Sequence, residues 1–190
     1  MSVVYMLKKR DVYESKRLNV QEHTVNAGAA TPLIYPVIEY AGDSVSVCIQ
    51  NSVGDVLICK EHKYALGRTV LALPSGQINE GETPFDAAQR EVLEETGFLI
   101  DNIKIIGQTY PIPANSKLCQ YMVLATLSGK AKRRPEAGEE SITTHWATLD
   151  EAVQLVLNGG MVHGPSAMTL LQYKLLQSMP RSPTLGGDFV

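Results

Sequence analysis

No stretch of this sequence stays apolar over the roughly 20 residues that a membrane-crossing helix needs. The order of a signal peptide is also missing, because the first apolar residues precede Lys8-Lys9-Arg10 instead of following a basic start. The two absences predict a cytoplasmic protein with no membrane partner. Cysteine is scarce: Cys48, Cys59 and Cys119 are odd in number, and no two sit at metal-ligand spacing. That excludes a disulfide framework or a zinc knuckle. Cys48 and Cys59 lie in apolar runs and read as small buried thiols of a reducing cytosol. The histidines His23, His62, His145 and His163 show no ligand spacing either and read as structural or exposed. Basic excess is lacking too, the formal charge being -3, so no nucleic-acid partner is expected. An acidic protein that handles phosphates must bring its own cation. No internal repeat is present, and 190 residues fit one domain with a small extension.

What is there begins with short β-rich runs. Alternation over Arg17 to Val25 predicts an exposed strand, and Leu33 to Glu39 is a second extended segment. Val45 to Gln50 and Val56 to Lys60 flank the turn Asn51-Ser52-Val53-Gly54-Asp55 and predict a hairpin. Further strands are expected over Val70 to Leu73, Ile103 to Tyr110, Tyr121 to Leu127 and, more weakly, Ile142 to Ala147. Three helices are expected. Pro84 to Thr96 has Thr83 as N-cap and Gly97 as its stop. The others run from about Asp150 to Leu157 and from about Ser166 to Ser178. Phe85, Ala88 and Val92 form an apolar stripe on the first helix, and Trp146 is expected in or near the core. Lys130, Lys132, Arg133 and Arg134 read as a solvated loop. The expected class is α/β (α+β), with residues 1–40 as a β extension, 41–178 as the main domain and 179–190 as a flexible tail.

The first helix is poorly explained by stability alone. Its last turns, Arg90-Glu91-Val92-Leu93-Glu94-Glu95, crowd carboxylates where the macrodipole disfavours them by about 0.3–1 kcal/mol each. Glu91 and Glu95 are four apart on one side of the helix, a like-charge pairing that costs roughly another 0.2–0.5 kcal/mol. A cation between them would make the arrangement sensible. Mg²⁺ suits it, taking one or two carboxylates with water and phosphate completing the sphere. Arg90 and Glu94, also four apart, can pair and orient the cluster. Before the helix, Glu80 and Glu82 lie in a glycine-bearing polar loop near a helix N-terminus, where negative charge is tolerated; Glu80 reads as solvated.

Gly76, Glu82, Arg90-Glu91-Val92, Glu94-Glu95 and Gly97-Phe98 together match the Nudix box at every defined position over 23 residues. The sequence therefore resembles the Nudix hydrolase family. The resemblance implies a Nudix-type α/β/α sandwich with a mixed sheet, the box forming loop, helix and loop. It implies Mg²⁺-dependent hydrolysis of a diphosphate linkage, with Mn²⁺ as a possible substitute. By position, Glu91 and Glu95 are implied as main metal ligands and Glu94 as an auxiliary ligand or water-binding residue. Arg90 is implied to orient the glutamates, Gly76 to allow a tight turn, and the Ser75 backbone carbonyl to supply a further ligand.

Outside the box, Pro113 in Tyr-Pro-Ile-Pro-Ala-Asn-Ser resembles the ADP-sugar (ADP-ribose) pyrophosphatase branch, as does the N-terminal extension, which implies a homodimer. Glu139-Glu140 resembles a late acidic loop that supplies a ligand or the catalytic base, with Glu140 the first choice and Glu139 the second. The chain departs from the branch at Ala72, where many relatives have Glu, and at Glu61-His62-Lys63-Tyr64, which stands for Gln-x-Arg-Tyr. Lys63 can hold a phosphate as a point charge but not with the fork of Arg. These departures bear on ADP-ribose as the substrate rather than on the reaction. The substrate expected is a small nucleotide, an ADP-sugar split to a nucleoside monophosphate and a sugar phosphate. The alternatives are a GDP-sugar or nucleoside triphosphate hydrolase with the same box, or a non-catalytic nucleotide-sugar sensor.

Overall fold

The computed structural model describes residues 4–28, 31–135 and 139–179. All but the first residue of the tail expected over 179–190 lies outside them.

Three strands, β1 (Tyr5–Glu14), β2 (Leu18–Asn26) and β3 (Leu33–Tyr40), form an antiparallel sheet in that order. β2 and β3 match the two extended segments read from sequence to within one residue at each end, whereas β1 escaped that reading. Its register slips between Met6 and Lys8 and again between Asp11 and Tyr13, so no unbroken period-2 pattern survives in Tyr-Met-Leu-Lys-Lys-Arg-Asp-Val-Tyr-Glu. Tyr5, Leu7, Val12 and Tyr13 of β1 and Leu33 and Ile34 of β3 are exposed. Asn115, in the loop that holds Pro113, ties this sheet to the rest: Ile38 N donates to Asn115 O at 2.8 Å, and Asn115 Nδ2 to Pro36 O at 2.9 Å.

The central sheet is mixed. Its path runs β10 (Thr143–Ala147), β5 (Val56–Lys63), β4 (Ser44–Gln50), β9 (Gln120–Lys130), β8 (Phe98–Thr109), with β6 (Arg68–Ala72) on β5 and β7 (Ser75–Gln77) on β4. Only β4 and β9 pair in parallel. The turn of the expected hairpin is present, with Asn51 N donating to Asp55 O at 2.9 Å and Gly54 at φ 94°. Its arms do not stay together, however: β4 and β5 share only the Gln50–Val56 pair. The wedge between them is filled by β6 and β7, joined across Leu73–Pro74, with Val47 N donating to Pro74 O at 2.8 Å. This opening is what lays Ser75 and Gly76 alongside the box helix. The three-residue β7 is too short to register as a strand in sequence.

Helix α1 (Pro84–Thr96) has the expected bounds. Thr83 Oγ1 accepts from Asp86 N at 3.2 Å while Asp86 Oδ2 accepts from Thr83 N at 3.0 Å, and Gly97 ends the helix at φ 73°. α2 (Leu149–Leu157) begins with the same reciprocal cap from Thr148 and Glu151, and α3 (Gly164–Ser178) starts two residues before the expected Ser166. Alternation along β4 sends Val45, Val47 and Ile49 to α1 and Cys48 to the α2–α3 side, giving one core on each face. The molecule is thus an α/β/α sandwich around a mixed sheet. One side-chain reading needs amending. Phe85 is 44% exposed rather than part of a buried stripe, and the buried side of α1 is built from Ala87, Ala88, Glu91, Val92 and Glu95. Residues 87, 91 and 95 are each four apart, so the two carboxylates occupy core positions of the helix. Trp146 is half-buried, its ring centroid 5.8 Å from that of Phe98.

Candidate active site

Arg90 organises the region. All five of its N–H donors are engaged. Nε and Nη2 grip Glu82 as a fork at 2.7 and 2.9 Å, Nη1 donates to Glu91 Oε1 at 2.8 Å and Glu94 Oε2 at 2.9 Å, and Nη2 donates to Gln77 O at 2.7 Å. Glu82 also accepts from Asn79 N at 2.9 Å, so the loop before α1 is folded around the guanidinium. These hydrogen bonds from Arg90 hold the Glu82 carboxyl down at about 2. Glu94 is turned to Arg90, away from the convergence of carboxylates described next.

Carboxylate oxygens of Glu91, Glu95 and Glu139 all lie within 4.8 Å of one another. Glu91 and Glu95 are 6% and 4% exposed. Burial pushes their carboxyls up, to about 7 for Glu91 and about 9 for Glu95, with neighbouring glutamates adding to the rise. Glu95 has no hydrogen-bond donor among the described residues. A helix that buries two carboxylates and leaves one undonated is costly unless a cation joins them. The all-oxygen donor set, hard and anionic, fits a divalent ion of the Mg²⁺ or Mn²⁺ type.

Gly76 serves this cluster in a way other than expected. It lies inside β7, opposite Val45, at a negative φ rather than in a tight turn. A Cβ there would overlap the Glu91 carboxylate, so the glycine provides room for that group. The cluster opens into a cavity of about 890 Å³ whose walls include Ser75, Gly76, Arg90 and Lys63. Glu139 lines this cavity, whereas Glu140 is exposed and stands outside its lining. Pro113 is exposed in the loop that anchors the N-terminal sheet and does not line the cavity.

Two residues with no assigned role in the sequence belong here. Glu61, on the same side of β5 as Lys63, lines the cavity and accepts from Lys63 Nζ at 2.6 Å. Its charge also reaches Glu95, helping to raise that carboxyl. Period-2 spacing from Lys63 was the available signal. Arg133 is half-buried rather than solvated: it donates from Nε to Glu94 O at 3.2 Å, from Nη1 to Ile142 O at 3.0 Å and from Nη2 to Glu139 O. It thereby supplies the positive charge that the C-terminus of α1 lacks and ties it to the segment carrying Glu139. Nothing in a basic run distinguishes one such arginine. Lys132 and Arg134 are exposed, and Lys130 lies 5.0 Å from the Phe98 ring centroid. His163 is half-buried at the start of α3, its Nδ1 2.7 Å from Ser166 Oγ, and desolvation lowers its pKa to about 4.

A model of the NUDIX domain matches residues 41–167, and the chain belongs to that family; it is a Nudix hydrolase. Over 174 residues it is 22% identical to an ADP-ribose pyrophosphatase of Bacillus subtilis, covering 91% of this chain and 94% of that one. It is 26% identical over 166 residues to a CMP-5'-(N-acetyl-N-hydroxy-3-aminopropyl)phosphonate hydrolase of Streptomyces rubellomurinus, covering 86% and 78%. Among solved structures, an ADP compounds hydrolase shares the fold with a TM-score of 0.78 at 18% identity, covering 91% of this chain and 93% of that chain. No helix among the described residues is long and apolar enough to cross a membrane.

Proposed function

We propose that this Nudix hydrolase splits the diphosphate of an ADP-sugar, ADP-ribose among them, to a nucleoside monophosphate and a sugar phosphate with Mg²⁺ as its cation. The observation that carries the reading is the convergence of Glu91, Glu95 and Glu139 on the floor of a cavity that also holds Lys63. The full-length similarity to an ADP-ribose pyrophosphatase supports the substrate class. Glu91 and Glu95 would hold the cation, with the Ser75 carbonyl beside them. When bound, it would neutralise the diphosphate and lower the pKa of an attacking water. Arg90 keeps Glu91 aimed through its fork on Glu82, with Glu94 as the second brace. Lys63 meets a phosphoryl oxygen as a point charge. Between the two late glutamates, the cavity lining favours Glu139 over Glu140 as ligand or proton acceptor.

The exposed apolar side chains of β1 and β3 support a homodimer built through the N-terminal sheet. Three buried, unpaired cysteines support a reducing, cytoplasmic setting. The test is a panel of ADP-sugars, GDP-sugars and nucleoside triphosphates, with and without Mg²⁺ or chelator, followed by chromatographic identification of products. ADP-ribose should give AMP and ribose phosphate only with metal. A higher kcat/KM for any triphosphate, or full turnover in chelator, would overturn the reading. Light scattering of the intact chain should report a dimer at micromolar concentration, and a monomer would refute the assembly.

A further inference from the structure

The cavity above the carboxylates is completed by a part of the chain far from the box. Lys16 and Arg17, in the turn between β1 and β2, line it together with Ala41. Of the other cationic side chains of the cavity, Arg90 spends all its donors on Glu82, Glu91, Glu94 and Gln77, and Lys63 already shares its charge with Glu61 while it faces the phosphoryl group. Lys16 and Arg17 make no ion pair with any described residue. The remaining arginine of the same sheet behaves differently, since Arg10 is paired with Glu22 across the strands.

The turn that presents the two cations is fixed. Ser15 Oγ donates to Leu18 O at 2.8 Å and accepts from Arg17 N at 3.3 Å and Leu18 N at 3.1 Å. Ser15 N donates to Leu18 O at 3.1 Å, closing the turn. From the other side Ala41 N donates to Arg17 O at 2.9 Å, latching the turn to the residue that leads into the central sheet. A rigid backbone carrying two uncommitted cations at the mouth of an acidic cavity is preorganised for an anion that arrives with its own counter-ion. Without metal the acidic floor attracts those cations; with a divalent ion on the floor, a phosphorylated ligand satisfies both walls.

We propose that the Ser15–Leu18 turn is a phosphate-binding element of the substrate cavity, with Lys16 and Arg17 contacting a phosphoryl group of the bound nucleotide. The N-terminal sheet then reads the substrate as well as extending the fold. The proposal rests on the hydrolase reading above for the identity of the nucleotide. The phosphoryl group has two sources, the diphosphate itself or a further phosphate at one end of the substrate.

Both are separated by measuring the full-length Lys16→Ala/Arg17→Ala protein and the charge-keeping Lys16→Arg/Arg17→Lys protein on ADP-ribose and on its 2'-phosphate, in Mg²⁺. ADP and adenosine binding are measured in parallel by calorimetry. The alanine pair should raise KM about tenfold with a much smaller change in kcat, weaken ADP but not adenosine binding, and flatten the salt dependence of KM. The charge-keeping pair should restore most of the loss. An equal loss on both substrates identifies the diphosphate, and a larger loss on the 2'-phosphate identifies the terminal group. Unchanged KM and unchanged ADP binding would overturn the proposal. If the wild type hydrolyses neither substrate, the ADP-sugar reading fails instead, and the ADP titration alone still decides whether the turn binds phosphate.

Discussion

On one side of the central sheet, α2 and α3 bury Leu149, Ala152, Val153, Leu170 and Tyr173, and their charges stay outside. Asp150 there pairs with Lys174 at 2.6 Å while its carboxylate remains 76% exposed. On the other side, α1 packs Ala87, Ala88 and Val92 against the same sheet and puts Glu91 and Glu95 in the same buried face. Both α1 and α2 begin with the same reciprocal Thr cap. They differ in what their later turns bury. The α2–α3 layer follows the rules of stability, whereas α1 follows them in its first turn and breaks them in its last two. A helix that accepts desolvated, mutually repelling carboxylates for the sake of a binding site is the expected form of local conflict at a functional position.

The largest effect should come from removing the conflict. Glu95→Gln keeps the shape and deletes the charge. If Glu95 is a direct metal ligand, as proposed, activity should fall by more than the about 10–100-fold that loss of an outer-shell partner causes. In chelator at neutral pH the variant should be more stable than wild type, on the order of 1–3 kcal/mol, since wild type must protonate a group pushed up to about 9. Saturating Mg²⁺ should reverse the order by stabilising wild type, by about 2.7 kcal/mol at a hundred times Kd, and the variant much less. Denaturant melts with and without metal read all of this. A variant less stable than wild type in chelator would make Glu95 a structural residue.

Gly76→Ala tests the room around Glu91. The added methyl must displace that carboxylate, so the metal titration midpoint should rise by about tenfold or more, with far-UV dichroism unchanged. A wild-type midpoint would show that Glu91 does not need its observed position.

The pH dependence of metal-free stability should separate the two layers again. Glu91 and Glu95 bind protons more tightly folded than unfolded, their ordinary value being 4.5. Their contribution is therefore complete below that value and is lost as pH rises through about 7 and about 9. Melts in chelator should weaken by several kcal/mol from about pH 5 to about pH 9 in wild type and by clearly less in Glu95→Gln. Equal slopes would mean that Glu95 is ionised throughout.

Arg133→Ala removes the hydrogen bonds that join the end of α1 to the Glu139 segment, and should cost about 1.5–3 kcal/mol together with a loss of turnover. Asp150→Ala, on the opposite layer, breaks an exposed pair and should stay within about 0.5 kcal/mol of wild type with activity intact. A larger cost for Asp150→Ala than for Arg133→Ala would erase the contrast between the layers.

The sequence by itself determined the box helix to the residue, because Thr83, Pro84 and Gly97 act through local backbone geometry that tertiary context rarely overrides. It also determined that Glu91 and Glu95 share a side, since helical periodicity fixes that from spacing alone. Local signals marked most strands as well, but not β1, where two register slips erase the alternation, nor β7, three residues long. Only the tertiary structure decided that the common side of Glu91 and Glu95 is buried, that Gly76 makes room for Glu91, and that Glu139 joins them. It alone brought Glu61, Lys16 and Arg17 to the same cavity and turned Arg133 inward. The physical reason is separation along the chain. Helix caps and face periodicity are interactions among residues a few positions apart, whereas a cavity wall is assembled from segments whose proximity the sheet order creates.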